Sequence, residues 1–502
     1  MRIDVRPTKR LRTSNAVNLT VALEPIIGAL LEDDIDLSRL RVVCDWVQYR
    51  NNFRQAVQCR PIMAGAHPTS VGSPGADADA SAGEEAGMEI AVDLRQCTDT
   101  DIATATKHVL SEHRDSTEPD DVHLEPWVPG RDSCMWQFNA LYWQALSLWE
   151  RATGRGYEQA LPGGESDARN REAARELILD LFKVWDDLAA RNALPEELYI
   201  VELGVGNGNQ AKTWLDEFVE LDRAHGRDYY QRLHYLMGDY SAHVLEHAQH
   251  AVAHHGGHVN ALVLDATRPH LTLGFLREKA FLVYISNVYD NLPTDELARI
   301  DGRTYQVEVR ASLADGDARD IAERFSLTVD NLGDFVGKLC RLGPELISEA
   351  FPQHVGTVEG AVTFWQEVWQ ALKLQERYVP LAGLDLYRIS PTLTGEVLQP
   401  LLEAHGDIRM HVNNGALTSF VDTLPLLHPF GRLQCHDLFL TDSEQYRTGF
   451  YGPGKYDGSV VNWVNGPLLQ HVGRRRGFDV RISEFAQRPG AKVKTLTADM
   501  RD

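Results

Sequence analysis

No run in the sequence approaches the ~20 consecutive apolar residues that a membrane span requires, so a membrane-embedded chain is not expected. Cysteine is scarce and scattered. The six cysteines, Cys44, Cys59, Cys97, Cys134, Cys340 and Cys435, include no Cys-x-x-Cys pair, which argues against a zinc knuckle or a dithiol redox centre. A disulfide framework is not expected in so long a chain, and a reducing cytoplasm suits it. Positive charge is also in deficit: 50 Lys and Arg stand against 72 Asp and Glu, a formal net charge of −22. A surface of that sign repels phosphate backbones and excludes broad nucleic-acid binding. The basic runs Lys9-Arg10-Leu11-Arg12 and Arg474-Arg475-Arg476 read as solvated surface. The apolar stretch 17–31 is broken by Glu24 and Pro25, which makes a poor signal peptide, and Asp4 speaks against a transit arm. No internal repeat is visible.

Against these absences, 43% of the 502 residues are hydrophobic and 24% charged, an ordinary globular balance with ample core. The length implies two or three structural regions. Residues 1–63 read as an N-terminal helical region, with Trp46, Tyr49 and Phe53 at helical spacing over 37–58. Residues 64–92 read as a flexible linker, because 64–87 are rich in Ala, Gly, Ser, Asp and Glu. Residues 93–192 read as a helical cap, with Trp136, Leu141, Trp143, Leu146 and Trp149 on one helix and a strong amphipathic helix over 172–192.

The pattern then changes. Short β-rich runs at 198–203, 233–237, 261–264 and 280–285 alternate with helical segments at 210–221 and 242–254, which predicts right-handed βαβ units and a parallel sheet. Residues 193–310 form the first part of this core. Residues 311–425 read as a helical insertion, clearest at 359–377, serving as a lid or substrate region. Residues 426–490 return the last strands, at 433–440 and 478–485, around a helix at 467–476. The expected fold is α/β, with helices on both faces of the sheet.

The first strand ends in Glu202-Leu203-Gly204-Val205-Gly206-Asn207-Gly208. Glycines allow a sharp turn and let a ligand touch the backbone, and the helix that follows offers free N–H groups and a positive dipole end. A dinucleotide fingerprint requires Gly-x-Gly-x-x-Gly, but the sixth position here is Asn209. Asp239, followed by Tyr240, closes the second strand, where an acid can accept from both ribose hydroxyls; its plain alternative is an acid before a helix capped by Ser241. Asp265-Ala266 closes the third strand and reads either as a ligand contact or as a turn before Thr267. The fourth ends in Ser286-Asn287-Val288-Tyr289-Asp290-Asn291-Leu292-Pro293, polar groups at the strand edge where open α/β sheets bind ligands, or else a capped turn before proline.

The acid-x-Gly-x-Gly-x-Gly spacing resembles motif I of class I S-adenosylmethionine-dependent methyltransferases, and the four strand ends together resemble that Rossmann-like fold. The resemblance implies that Glu202, Gly204, Gly206, Gly208, Asp239, Tyr240, Asp265, Ala266 and Ser286 contact S-adenosyl-L-methionine. Within it, Glu202 would organise the loop or meet the ammonium, and Asp265 would face the adenine amino group. It further implies that Asn287, Tyr289 and Asp290 flank the transferred methyl group. Residues 286–293 also resemble the Asn-Glu-hydrophobic-aromatic-Asp-Ala-Leu-Pro signature of MidA-type methyltransferases. That family includes the mitochondrial complex I assembly arginine methyltransferase. Val288, Tyr289, Asp290, Leu292 and Pro293 match, Ser286 replaces the family's Asn, and Asn287 replaces its Glu. Asp437 matches the family's Ile-Asp-Tyr-Gly strand, and 453–457 with 461–463 resemble its Pro-Gly-x-x-Asp and Val-Asn-aromatic stretch.

The expected chemistry is displacement of the sulfonium methyl by an N or O nucleophile of a protein or small-molecule acceptor. The protein's part is positioning and water exclusion. A protonated nucleophile would need a base, for which Asp290, Tyr289 or His436 are candidates. No metal is expected: His254, His255 and His258 lie in a Gly-containing turn without carboxylates at ligand spacing. The N-terminal helices and the insertion would form a lid or a homodimer surface. Two other classes remain, a non-catalytic binding or assembly protein on the same fold and a nucleotide-dependent dehydrogenase.

Overall fold

The computed structural model describes residues 2–5, 23–24, 26–28, 31, 37–45, 51–65, 85–93, 104–107, 121–156, 167–449, 451–487 and 489–501. The basic run at 9–12, Trp46, Tyr49, Cys97 and most of the expected linker lie outside them. The chain divides into two compact units, each assembled from three separate stretches. One comprises 142–292, 413–442 and 463–502; the other comprises 1–141, 293–412 and 443–462.

The first of these is the α/β unit. In chain order it contains α1 (Asp167–Ala190), β1 (Leu198–Leu203), α2 (Asn209–Ala224), β2 (Leu233–Asp239), α3 (Ala242–Ala251), β3 (Val259–Val263) and β4 (Ala280–Ser286). After the chain's excursion into the second unit come α4 (Asn414–Thr423), β5 (Leu427–Asp437), α5 (Gly466–Arg475), β6 (Phe478–Glu484) and β7 (Lys494–Met500). The sheet runs β6-β7-β5-β4-β1-β2-β3. Strands β1 to β5 are parallel, and β7 runs antiparallel to both β5 and β6. The chain winds outward from β1 to β3, then restarts at β4 in the other direction. This is the doubly wound order, which leaves a switch point between β1 and β4.

Sequence accounts for this directly. In β1 all but Tyr199 are buried, and in β4 all but Tyr284 and Ser286, as expected of strands covered on both faces. Helix α2 buries Ala211, Trp214, Leu215, Phe218 and Leu221, a 3–4 spacing that gives one apolar face. That face packs on α1 through Phe182 and Trp185, in a cluster that also takes in Tyr229 and Phe281. Each such side chain contributes about 1.5–3 kcal/mol when fully buried.

The second unit corrects the reading of residues 1–63 and 311–425 as helical. Its core is a ten-stranded sheet in which Leu40–Asp45 lies between Arg2–Val5 and Glu85–Asp93. Val57–Met63, Lys373–Pro380, Arg303–Ala314, Asp295–Ile300 and Ile408–Val412 continue it. Within the span 37–58, where a helix is expected, Leu40–Asp45 is instead a strand, because Leu40, Val42 and Val43 pair with non-local partners that outweigh local spacing. The helix expected over 359–377 stops at Ala371, and a strand starts at Lys373. Between strands four and five the chain leaves the α/β unit over 293–412, a stretch that carries strands as well as helices. Among the described residues no helix is long and apolar enough to cross a membrane, and Cys134, Cys340 and Cys435 are free thiols.

Candidate functional site

The loop after β1 is pinned to the end of β2. The N–H groups of Gly204 and Val205 donate to Gly238 O at 2.7 and 3.2 Å. Gly204, Gly206 and Gly208 all take positive φ, at 75°, 57° and 79°, a region that side chains rarely enter. Two of these glycines also make room. A Cβ on Gly204 would lie 2.3 Å from Val288 Cγ2, and one on Gly208 would lie 2.6 Å from Ala248 Cα. The Gly206 N–H donates instead to Asp239 Oδ2 at 3.3 Å. The other oxygen of Asp239 accepts from Ser241 N at 3.0 Å. Asp239 therefore ties the tip of β2 to the glycine loop, while Ser241 caps α3 by accepting from Val244 N. Burial raises the Asp239 carboxyl above its ordinary range, and its backbone donors oppose that rise.

Glu202 is 2% exposed and accepts from Tyr235 Oη at 2.7 Å. Burial pushes its carboxyl up to about 8, with the Tyr235 hydrogen bond pulling the other way. Of its two expected roles, the hydrogen bond supports the organising one, a brace between β1 and β2. Tyr240 is exposed beside Asp239, and its hydroxyl accepts from Gln144 Nε2 at 2.8 Å. Asp265 is exposed at the tip of β3, where its Oδ1 accepts from Thr267 N and Oγ1 at 2.8 and 2.7 Å. Those bonds form the turn weighed as its alternative. Ala266 and Ser286 are half-buried.

The residues after β4 correct the expected catalytic set. Asn287 is exposed, with φ of 52° and its N–H on His436 O at 2.9 Å. Tyr289 is fully buried. Asp290 is 4% exposed and lies against Asp437. Asp437 Oδ2 accepts from the N–H groups of Val288, Tyr289 and Asp290 at 3.2, 2.8 and 3.4 Å, and its Oδ1 accepts from Leu438 N at 2.7 Å. Asn291 Nδ2 donates to Asp290 Oδ1 at 2.7 Å. Two carboxyls in one dry site cannot both ionise. Burial first, and Asp437 second, drive Asp290 well above the usual range, so it holds a proton; burial pushes Asp437 up to about 6. The pair clamps the turn to β5, and neither Tyr289 nor Asp290 stands as an accessible base. His436 is no better placed. Burial lowers it to about 4, and its Nδ1 meets Thr495 Oγ1 at 2.9 Å.

The sheet order brings the tips of β3, β2, β1 and β4 side by side, so Asp265, Asp239, the glycine loop and Ser286 share one edge. Sequence reasoning overlooked Tyr235, which reads as ordinary strand. It also overlooked Gly238, whose place beside Leu264 leaves no room for a Cβ. Asp437 drew notice only as a motif match, since its partners are 147 to 149 residues away. Asp216, which meets His254 and His255, was not foreseen at all.

No family model and no curated protein matches the chain. Among solved structures, it is similar to an uncharacterised superfamily protein from Burkholderia thailandensis at 12% identity and a TM-score of 0.43, covering 74% of this chain and 87% of that one. A member of the same superfamily from that organism, bound to S-adenosyl-homocysteine, aligns at 13% identity and a TM-score of 0.42, covering 74% and 88%. The CcbJ methyltransferase from Streptomyces caelestis aligns at 10% identity and a TM-score of 0.28, covering 67% and 98%. Likeness this distant leaves function to be read from the site itself.

Proposed function

We propose that the α/β unit binds S-adenosyl-L-methionine at the tips of β1 to β4 and transfers its methyl group to an N or O nucleophile. The observation that carries this reading is the bond between the Gly206 N–H and Asp239, which joins a left-handed glycine loop to the carboxylate of the adjacent strand tip. The donor set fits a nucleoside with hydroxyls, an ammonium and a sulfonium. Asp239 and Asp265 supply acceptors, and 202–209 contain no Lys or Arg to meet a phosphate. That balance disfavours a dinucleotide.

When bound, the cofactor supplies an electrophilic methyl on sulfur. Asp239 would orient the ribose through its acceptor oxygens, and the 204–208 backbone would hold the amino-acid end. Tyr240 would flank the nucleoside, and Asp265 with Ala266 would border its base. Asn287, exposed after β4, would orient the acceptor. With Tyr289 and Asp290 buried, the acceptor enters as a neutral nucleophile or sheds its proton to solvent. The finer likeness to MidA-type enzymes draws support from the clamp, because the matched residues Val288, Tyr289, Asp290 and Asp437 contact one another. The substitution of Asn287 for that family's Glu leaves the acceptor, protein side chain or small molecule, open.

A second reading, a non-catalytic binding or assembly protein, is favoured by Gly204 and Gly208, whose packing against Val288 and Ala248 accounts for them without a ligand. Titration calorimetry with S-adenosylmethionine and S-adenosylhomocysteine separates the two. We expect saturable binding that Asp239→Asn weakens by about 10–100-fold, the loss of charge-assisted hydrogen bonds. No heat at millimolar cofactor would favour the second reading.

A further inference from the structure

Away from the glycine loop, the same unit gathers a second group of polar side chains. Helix α2 carries Asp216 two turns into its length. The chain after α3 makes a tight turn at Ala253–His255, held by bonds from His255 N to Val252 O and from His258 N to His255 O, each 2.8 Å. That turn aims two imidazoles at one carboxylate oxygen. His254 Nε2 and His255 Nε2 lie 2.8 and 3.0 Å from Asp216 Oδ1. One ligand atom from each of the three residues falls within 4.8 Å of the others.

We propose that Asp216, His254 and His255 form a binding site for a divalent transition cation of the zinc class, which ties α2 to the turn after α3. Two imidazoles and a carboxylate suit zinc, cobalt or nickel better than calcium or magnesium, which prefer oxygen ligands throughout. Three protein ligands leave one tetrahedral position for water. Zinc-ligand bonds of ~2.0–2.2 Å place ligand atoms roughly 3.4 Å apart, so small side-chain rotations suffice. His255 is 5% exposed and fixes the site, while Asp216 and His254 are 40% and 52% exposed and give an ion its entry.

Tyr230 completes the arrangement. Its hydroxyl lies 2.6 Å from Nδ1 of His255, the ring nitrogen that faces away from Asp216. Metal-bound histidines commonly hold a partner on the far nitrogen, which fixes the tautomer. Before an ion enters, each Nε2–H points at Asp216. On binding, each neutral ring presents its Nε2 lone pair and carries its proton on Nδ1. For His255 that proton meets the Tyr230 oxygen, which then accepts. No net proton is lost from either ring.

Lys212, one turn earlier on α2, places Nζ 2.5 Å from Asp216 Oδ2. It is 45% exposed and free to swing away, so it acts as the built-in competitor for the ion. A competitor makes the test sharp. The whole chain, freed of metal by chelator, is titrated with Co(II), whose visible absorption reports tetrahedral nitrogen and oxygen ligation, and then with Zn(II) by calorimetry. We expect one equivalent per chain. His254→Ala and Asp216→Asn should each weaken binding at least about tenfold, with folding checked by circular dichroism. Lys212→Met should tighten binding several-fold, which a purely structural hydrogen-bond cluster would not predict. No stoichiometric binding at millimolar metal overturns the proposal. So does wild-type affinity in both ligand variants, which would point to others among the 19 histidines. Neither readout uses S-adenosylmethionine, so the outcome is independent of the methyltransferase reading.

Discussion

At the scale of single residues, the unit places acids where water cannot reach them, and this makes its stability depend on pH. Glu202 is the clearest case. In an unfolded chain a glutamate titrates near 4.5, whereas burial among β1 and β2 raises Glu202 to about 8. Between those values the folded state holds a proton that the unfolded state has lost. Its contribution to stability is therefore complete below the lower value and falls as pH rises through the upper one. Glu202→Gln keeps the side chain's shape and leaves an oxygen for the Tyr235 hydroxyl, but cannot ionise. From about pH 5 to about pH 8.5, wild type should lose on the order of a few kcal/mol relative to this variant. Urea unfolding at several pH values measures it. Parallel curves for the two proteins would mean that Glu202 is not the buried proton carrier described here. The same logic explains why Asp290 cannot serve as a base: a carboxyl that keeps its proton in order to share a site with Asp437 has none of the affinity for a second.

At the scale of elements, ends matter more than middles. The helix Val358–Ala371 leaves its last carbonyls without helical partners, and Lys455, from the strand Gly454–Tyr456, supplies them. Its Nζ donates to Trp369 O, Gln370 O and Leu372 O at 2.6, 2.8 and 2.7 Å, and it lies over the rings of Phe53 and Trp369. Lys455→Met retains most of the apolar stem but strands three acceptors, two of them in buried bonds, so we expect a loss of roughly 2–4 kcal/mol in thermal or urea unfolding. A loss below about 0.5 kcal/mol would show that water replaces the ammonium. Ends also mark the limit of what sequence conveys. Strands β1 to β4 and helices α2 and α3 were legible because each writes its own period and its own breaker, down to the glycine loop and Asp239. Strand β7 was not: Lys494–Met500 has only Leu496 and Ala498 fully buried, and its place between β5 and β6 depends on partners elsewhere in the chain. The strand Leu40–Asp45 failed for the same reason. The burial of Tyr289 and Asp290 was equally hidden, since it depends on Asp437, far along the sequence.

At the scale of the whole molecule, the interruption between β4 and β5 sets a condition on folding. Strand β4 is bonded on one side to β1, from the same stretch of chain, and on the other to β5, which the chain supplies only after residues 293–412. Parallel pairing across so long a separation is slow, because the loop must close before any contact repays it. Until β5 arrives, Ala280–Ser286 presents an open edge whose Phe281, Leu282, Val283 and Ile285 are all buried in the finished sheet. Such an edge is apolar, β-branched in part and without charge, and it is a template for aggregation. A fragment ending at Leu292 should therefore form aggregates, whereas the full chain, in which β5 covers that edge, stays dispersed. Supplying residues 293–502 as a separate chain during expression should recover part of the soluble material, by closing the edge and restoring Asp437 to the turn at Val288–Asp290. Size-exclusion chromatography of the fragment decides the matter. A monodisperse fragment with native near-ultraviolet circular dichroism would mean that β1 to β4 form a self-sufficient sheet, and that the late strands serve the turn after β4 rather than the fold.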